Sequence, residues 1–320
     1  MSVSAVSSDI VALGEAMIEF NEARSSSAES FLRGYGGDTS NMAIAAARLG
    51  RGLSPSLRVA YVSRVGDDAF GRLLLELWQR EGVLTDGVAM DDAHPTGVYF
   101  VTHGPAGHEF SYVRAGSAAS RMGPANLPRT MIRNTRLLHV SGISQAISTS
   151  ACDAVLEAIA EARAAGALVS FDPNLRLKLW PLARARAVIR ETMRMCDVFL
   201  PSLDEVRTLS DIQDEEAILD WAHAHGPRTV ALKCGTSGVW VSDGRERRNV
   251  SAHQVQAIDA TGAGDCFDGA FCVRLLAGDD PFVAAEYANA AAALATTGYG
   301  AVAPLPDDAA VRALLARSPR

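Results

Sequence analysis

Cysteine is scarce in this chain. Cys152, Cys196, Cys234, Cys266 and Cys272 are odd in number and form no C-x-x-C pair. That argues against a disulfide framework or a thiolate zinc site and predicts reduced thiols in a cytoplasm. No run approaches the ~18 apolar residues of a membrane span. The N-terminus lacks a basic region, and Asp9 and Glu15 interrupt its apolar stretch, so no signal peptide is expected. A basic excess is also missing: 30 Lys+Arg stand against 37 Asp+Glu, a net charge of −7. A nucleic-acid-binding surface is therefore not expected, whereas an anionic small molecule needs only a few local arginines. Repeats, coiled-coil heptads and low-complexity tracts are absent. What remains is a globular composition, 48% apolar and 21% charged over 320 residues. A core of that size needs no staple.

Short β-rich runs at 10–13, 59–62, 137–140, 168–171, 198–200, 229–232 and 239–241 alternate with helical patterns. The helices are expected at 39–49, 68–80, 149–164, 182–195, 215–225, 263–276, 281–297 and 307–316. This alternation predicts an α/β fold with a mostly parallel central sheet covered on both faces. Two stretches, 16–32 and about 96–122, lack helical period. The second reads as two strands around a Gly104–Gly107 turn, a small antiparallel β-flap beside the main sheet. Loose segments are expected at 2–8, 25–27, 51–56 and the last few residues.

The segment Asp259-Ala-Thr-Gly-Ala-Gly-Asp265 runs into an apolar helix. Unpaired N–H groups and the helix dipole at such a start suit a phosphate. Gly262 and Gly264 let the backbone approach it, with Ala263 between them. Asp265 at the mouth reads either as a helix N-cap or as a general base accepting a proton from an attacking hydroxyl. The dinucleotide fingerprint is excluded because Phe267 stands where it needs glycine, and Walker A is excluded because Gly-Lys-Ser/Thr is missing. A second cluster, Gly34-Tyr-Gly-Gly-Asp-Thr-Ser-Asn41, opens another helix. It reads as an ordinary capped start, or as a place where Gly36, Gly37, Asp38 and Asn41 meet a polyhydroxylated ligand.

The two clusters together resemble the two signatures of the PfkB (ribokinase-like) family of carbohydrate kinases, with Ala260 a mild departure. The resemblance runs over nearly the whole chain. It implies one ribokinase-like domain over 1–320, a three-layer sandwich whose β-lid comes from about 14–35 and 96–122. Gly36–Asn41, Tyr99 and the segment 112–120 look like the 2-keto-3-deoxygluconate kinase branch. A sugar acid carries a carboxylate, and a guanidinium is its best partner. Arg114 is therefore a candidate ligand, with a solvated strand residue as the plainer reading. Tyr99 and Tyr112 read either as ligand contacts or as aromatics packing the flap. Asp172-Pro-Asn-Leu-Arg176 follows a strand at the edge where α/β sheets bind ligands. It matches a family segment, which makes Arg176 a substrate candidate and Asn174 a nucleotide-side one, although a simple turn also explains it.

On the nucleotide side, the resemblance implies ATP contacts at Lys233, Gly235, Thr236, Gly238 and Asn289, besides Gly262 and Gly264. A hairpin at 233–238 and a plain helix residue at 289 are the alternatives. Mg²⁺ is implied with ATP, and a monovalent cation is a further candidate. No metal ligand is singled out: the family's Asn-x-x-Glu motif becomes Ser202-Leu-Asp-Glu205 here. The expected activity is ATP-dependent phosphorylation of 2-keto-3-deoxygluconate at O6, with Asp265 as base. The alternatives are a neutral-sugar or nucleoside kinase of the same fold, or a non-catalytic binding regulator. The resemblance also implies a homodimer formed through the lids.

Overall fold

The computed structural model describes residues 8–23, 30–104 and 107–317. Residues 25–27, residues 2–7 of the Ser-rich start and Pro105 and Ala106 of the flap turn lie outside these. The main sheet contains β1 (Ile10–Leu13), β4 (Val59–Gly66), β5 (Leu84–Asp91), β8 (Leu137–Ser141), β9 (Leu168–Asp172), β10 (Val198–Phe199), β11 (Thr229–Lys233), β12 (Val239–Ser242) and β13 (Arg247–Val250). The small sheet contains β2 (Met17–Glu22), β3 (Phe31–Gly36), β6 (Val98–Gly104) and β7 (Gly107–Val113). The helices are α1 (Asp38–Gly50), α2 (Ala69–Arg80), α3 (Arg129–Arg133), α4 (Gly142–Ala146), α5 (Thr149–Ala164), α6 (Leu182–Met195), α7 (Leu203–Ser210), α8 (Glu215–Ala224), α9 (Ala263–Ala277), α10 (Pro281–Ala295) and α11 (Asp308–Arg317).

The main sheet runs β13-β12-β11-β10-β9-β8-β1-β4-β5. It is parallel from β11 to β5, with β12 and β13 antiparallel additions at one edge. Its central strands are buried on both faces, so they read as continuous apolar runs. Alternation then sorts side chains between two cores. Ile10 and Ala12 join the layer of α1, α2, α9 and α10. Val11 and Leu13 join the layer of α5, α6 and α8. This is the expected three-layer sandwich. The helix and strand runs read from the sequence are all present, with ends moved by a few residues. The individual elements not foreseen are β2, β3, β5, β13, α7 and the short α3 and α4. β13, Arg-Arg-Asn-Val, is a charged edge strand. Such strands lose the apolar signal because one side faces water.

The small sheet has the order β3-β2-β6-β7. The β6–β7 hairpin is antiparallel, as expected; β2 and β3, not foreseen as individual strands, form a second antiparallel pair, and a parallel β2–β6 pair joins the two. On one face Phe20 packs edge-on against Phe70 of α2 at 5.8 Å and stacks on Phe100 at 5.4 Å. The other face carries Glu19, Tyr99 and Tyr112 in one cross-strand row.

Candidate active site

The chain leaves β1 toward β4 and β5 in one direction and later fills β8 to β11 in the other. The strand order therefore reverses between β1 and β8, and α/β sheets bind ligands outside the carboxyl ends of such strands. The groups at the centre of the site converge on that edge. Gly14 and Glu15 follow β1, Asp172 ends β9, and Lys233 ends β11. The starts of α1 and α9 point there as well.

Close packing brings those two helices together. A Cβ on Gly269 of α9 would lie 2.7 Å from the Met42 carbonyl oxygen of α1, so only glycine permits this approach. One result is a hydrogen bond across 224 residues of sequence: Asn41 Nδ2 donates to Asp265 Oδ2 at 2.8 Å. Asp265 lies in the first turn of α9, whose N-cap is Gly262 in the left-handed conformation (φ +76°). Since the cap position belongs to Gly262, the capping reading of Asp265 fails and its carboxylate faces Asn41. Gly264 beside it is exposed, while the helix is buried from Cys266 to Val273. Burial, followed by the nearby Asp38 carboxylate, pushes the Asp265 carboxyl up to about 7, while Asn41 and Lys233 pull the other way.

Asp38 and Asn174 join the same edge. Asn174, held at φ +33°, donates from Nδ2 to Asp38 Oδ2 at 2.8 Å and from its backbone to Asp172 Oδ1 at 2.9 Å. Burial raises the Asp38 carboxyl above the ordinary range. Gly37 precedes α1 at φ +124°, and Gly36 packs under the Tyr99 ring. The Tyr99 hydroxyl donates to the buried Glu19, and the Tyr99 ring stacks on Tyr112 at 5.6 Å. Tyr112 is 45% exposed.

Several expected ligand contacts arrive already engaged. Arg114 is ion-paired with the buried Glu15, which also accepts from Ser117 Oγ at 2.6 Å. It is therefore no solvated strand residue, and its Nε–H is buried without a partner. Lys233 Nζ lies 2.9 Å from both Asp172 Oδ2 and Asp268 Oδ1. Burial works against both members of the Lys233–Asp172 pair, yet their attraction wins, raising the lysine and lowering the aspartate. Asn289 donates to the Val250 and Ser251 carbonyls at 2.9 and 3.2 Å, pinning α10 to the end of β13. Arg176 is half exposed and donates to its neighbour's carbonyl, with Glu205 Oε1 at 3.4 Å. Gly235 and Thr236 are exposed on a short 3₁₀ turn, and Gly238 is buried where it closes the hairpin. Glu205 closes the capping box of α7 and accepts from the Leu175 backbone at 2.9 Å, and burial, followed by the nearby Asp172, raises its carboxyl to about 7.

Sequence reasoning missed Glu15, Glu19 and Asp268. Each had a signal: an acidic residue directly after a buried strand, alternating within one, or inside an apolar helix. Among the described residues no three His, Cys, Asp or Glu side chains cluster as a metal cage. No helix there is long and apolar enough to cross a membrane.

The family model described as pfkB family carbohydrate kinase matches residues 7–308. A 2-dehydro-3-deoxygluconokinase of Thermoproteus tenax is 34% identical, covering 96% of this chain and 94% of its own. A fructokinase of Solanum habrochaites is equally similar, 34% identical over 96% of each. The crystal structure of a Vibrio cholerae O395 fructokinase with fructose, ADP and calcium ion bound superposes with a TM-score of 0.85. It is 30% identical and covers 96% of this chain and 99% of that one. The sandwich is thus the ribokinase-like fold: the chain belongs to the PfkB family of carbohydrate kinases and is a phosphotransferase acting on a sugar hydroxyl.

Proposed function

We propose that this enzyme transfers the γ-phosphoryl group of ATP to the primary O6 hydroxyl of 2-keto-3-deoxygluconate. The observation that carries the chemistry is Asp265, held by Asn41 at the open start of α9. Its carboxylate accepts the hydroxyl proton as that oxygen attacks the γ-phosphorus, and the bond to the bridging oxygen breaks to release ADP. The first-turn amides around Gly262–Gly264 stabilise the equatorial oxygens from a fixed position. Mg²⁺, when bound, neutralises charge on the phosphates. The exposed Gly235 and Thr236 leave room for the nucleotide beside β11.

The sugar-acid assignment is supported by the Thermoproteus relative and by Arg114. Its pair with Glu15 uses only part of a five-donor guanidinium, and the unpartnered Nε–H is a donor for a substrate carboxylate. The Glu15 pair itself favours the second reading, a neutral sugar such as fructose, because it offsets the charge a sugar acid would seek. A coupled kinase assay with 2-keto-3-deoxygluconate, its galacto epimer and fructose separates the two. Arg114→Lys keeps a cation for Glu15 and removes Nε–H. It is expected to raise the sugar-acid KM about 10- to 100-fold, the value of a hydrogen bond to a charged group, and to leave fructose turnover unaffected. Preference for fructose, or an unchanged sugar-acid KM, would overturn the assignment. We further infer a homodimer through the small sheet, whose Tyr99 face exposes Leu32, Phe110 and Tyr112. Five free thiols suit a cytoplasmic setting.

A further inference from the structure

Asp268 has no part in the chemistry above, yet it is a buried acid inside an otherwise apolar stretch of α9. It stands one turn beyond Asp265, close enough on a helix for the two side chains to share an environment. An ionisable group there is costly unless it is paired. Its partner is Lys233 Nζ at 2.9 Å.

Followed outward, that contact is part of a closed path. Lys233 at the end of β11 also holds Asp172 at the end of β9, at 2.9 Å. Asp172 accepts from the Asn174 backbone at 2.9 Å, and the Asn174 amide donates to Asp38 at 2.8 Å. Asp38 begins α1, and three residues later Asn41 donates to Asp265 at 2.8 Å. Asp265 and Asp268 then close the circuit through α9. Four elements that share no local sequence are tied by one ring of bonds, and Gly264 lies just above it, with a Cβ there only 3.6 Å from Lys233 Nζ.

We propose that Asp268 is a positioning residue that, by anchoring Lys233, closes this ring and fixes the start of α9, with Asp265, against the sugar-side start of α1. The inference rests on Asp265 being the proton acceptor. Asp265 is faced by Asp38 from α1, Asp172 from β9, Lys233 from β11, Tyr99 from the small sheet and its own neighbour Cys266. Lys233 in turn is faced by Asp172, Asp268 and Glu205. Burial holds the Asp268 carboxyl well above the ordinary range while Lys233 pulls it down. Losing this carboxyl frees one of the Lys233 ammonium hydrogen bonds, so Asp265 experiences more of the lysine's positive charge and keeps its proton less readily.

The test compares Asp268→Ala and Asp268→Asn in the full chain, using whichever sugar the wild type phosphorylates. The alanine variant is expected to lose about 10²-fold in kcat, the scale of a misplaced catalytic group, with sugar KM within about threefold. The asparagine variant keeps an oxygen acceptor for Lys233 and is expected to recover most of the loss. In both, the acid limb of kcat/KM moves to lower pH. Wild-type kcat with an unmoved limb in the alanine variant would overturn the proposal. Equal losses in both variants with no displaced limb would also overturn it, by marking Asp268 as structural support alone. Should the alanine variant not fold, the limb of the asparagine variant decides. Normal turnover by Asp265→Asn would instead sink the base assignment, a separate result.

Discussion

At the scale of single residues, the proposed reaction depends on a carboxylate whose surroundings disfavour its charge. Burial and Asp38 raise the Asp265 carboxyl to about 7, close to where a general base is most useful. The direction follows directly. Below about pH 7 the group is protonated and cannot accept a hydroxyl proton, so kcat/KM is expected to fall as pH drops through that value. Initial-rate measurements from pH 5 to 9 check the limb. Asp265→Asn keeps the size and an acceptor oxygen but removes the base. It is expected to fold and bind ligands while losing about 10²–10⁴ in kcat; near-normal turnover would refute the role. This residue was legible in the sequence because a glycine-rich turn before a helix announces an anion site. Arg114 was only half legible: its guanidinium was expected at the lid, but Glu15, which pairs with it, lies 99 residues earlier.

At the scale of elements, the start of α1 depends on one backbone conformation. Gly37 sits at φ +124°, and a Cβ there would lie 2.5 Å from the Glu15 carbonyl oxygen and 2.8 Å from Ala16 Cα. Gly37→Ala is expected to cost about 1–3 kcal/mol of stability through backbone strain and to weaken sugar binding by displacing Asp38 and Asn41 together. A thermal melt and a sugar KM measure the two effects. An unchanged melting temperature with an unchanged KM would show that the turn tolerates a side chain. Helices such as α5 and α6 were readable to the residue because their apolar periodicity is tied to clear caps or breaks. β5 and β13 were not, since half-exposed or charged edge strands carry little periodic signal.

At the scale of the whole molecule, the small sheet uses one face to pack on α2; on the other, Glu19, Tyr99 and Val101 are buried while the outer strands expose apolar side chains. Leu32 is 66% accessible there, beside Phe110 and Tyr112. An apolar row of this kind needs a cover. Leu32→Asp is therefore expected to shift a dimer to monomer in analytical ultracentrifugation. A wild type that sediments as a monomer at micromolar concentration would remove the dimer reading.

The order of strands and helices, the covered parallel sheet and the two glycine-rich helix starts were determined by the sequence itself. They rest on local periodicity, glycine and capping chemistry, all written within a few residues. The tertiary structure alone decided which charges would meet. Asn41 reaches Asp265, Lys233 lies between Asp172 and Asp268, and Glu15 takes Arg114. Electrostatics in a buried site depends on distances of a few ångströms between residues far apart in the chain, and those distances arise only when the sheet and its helices pack.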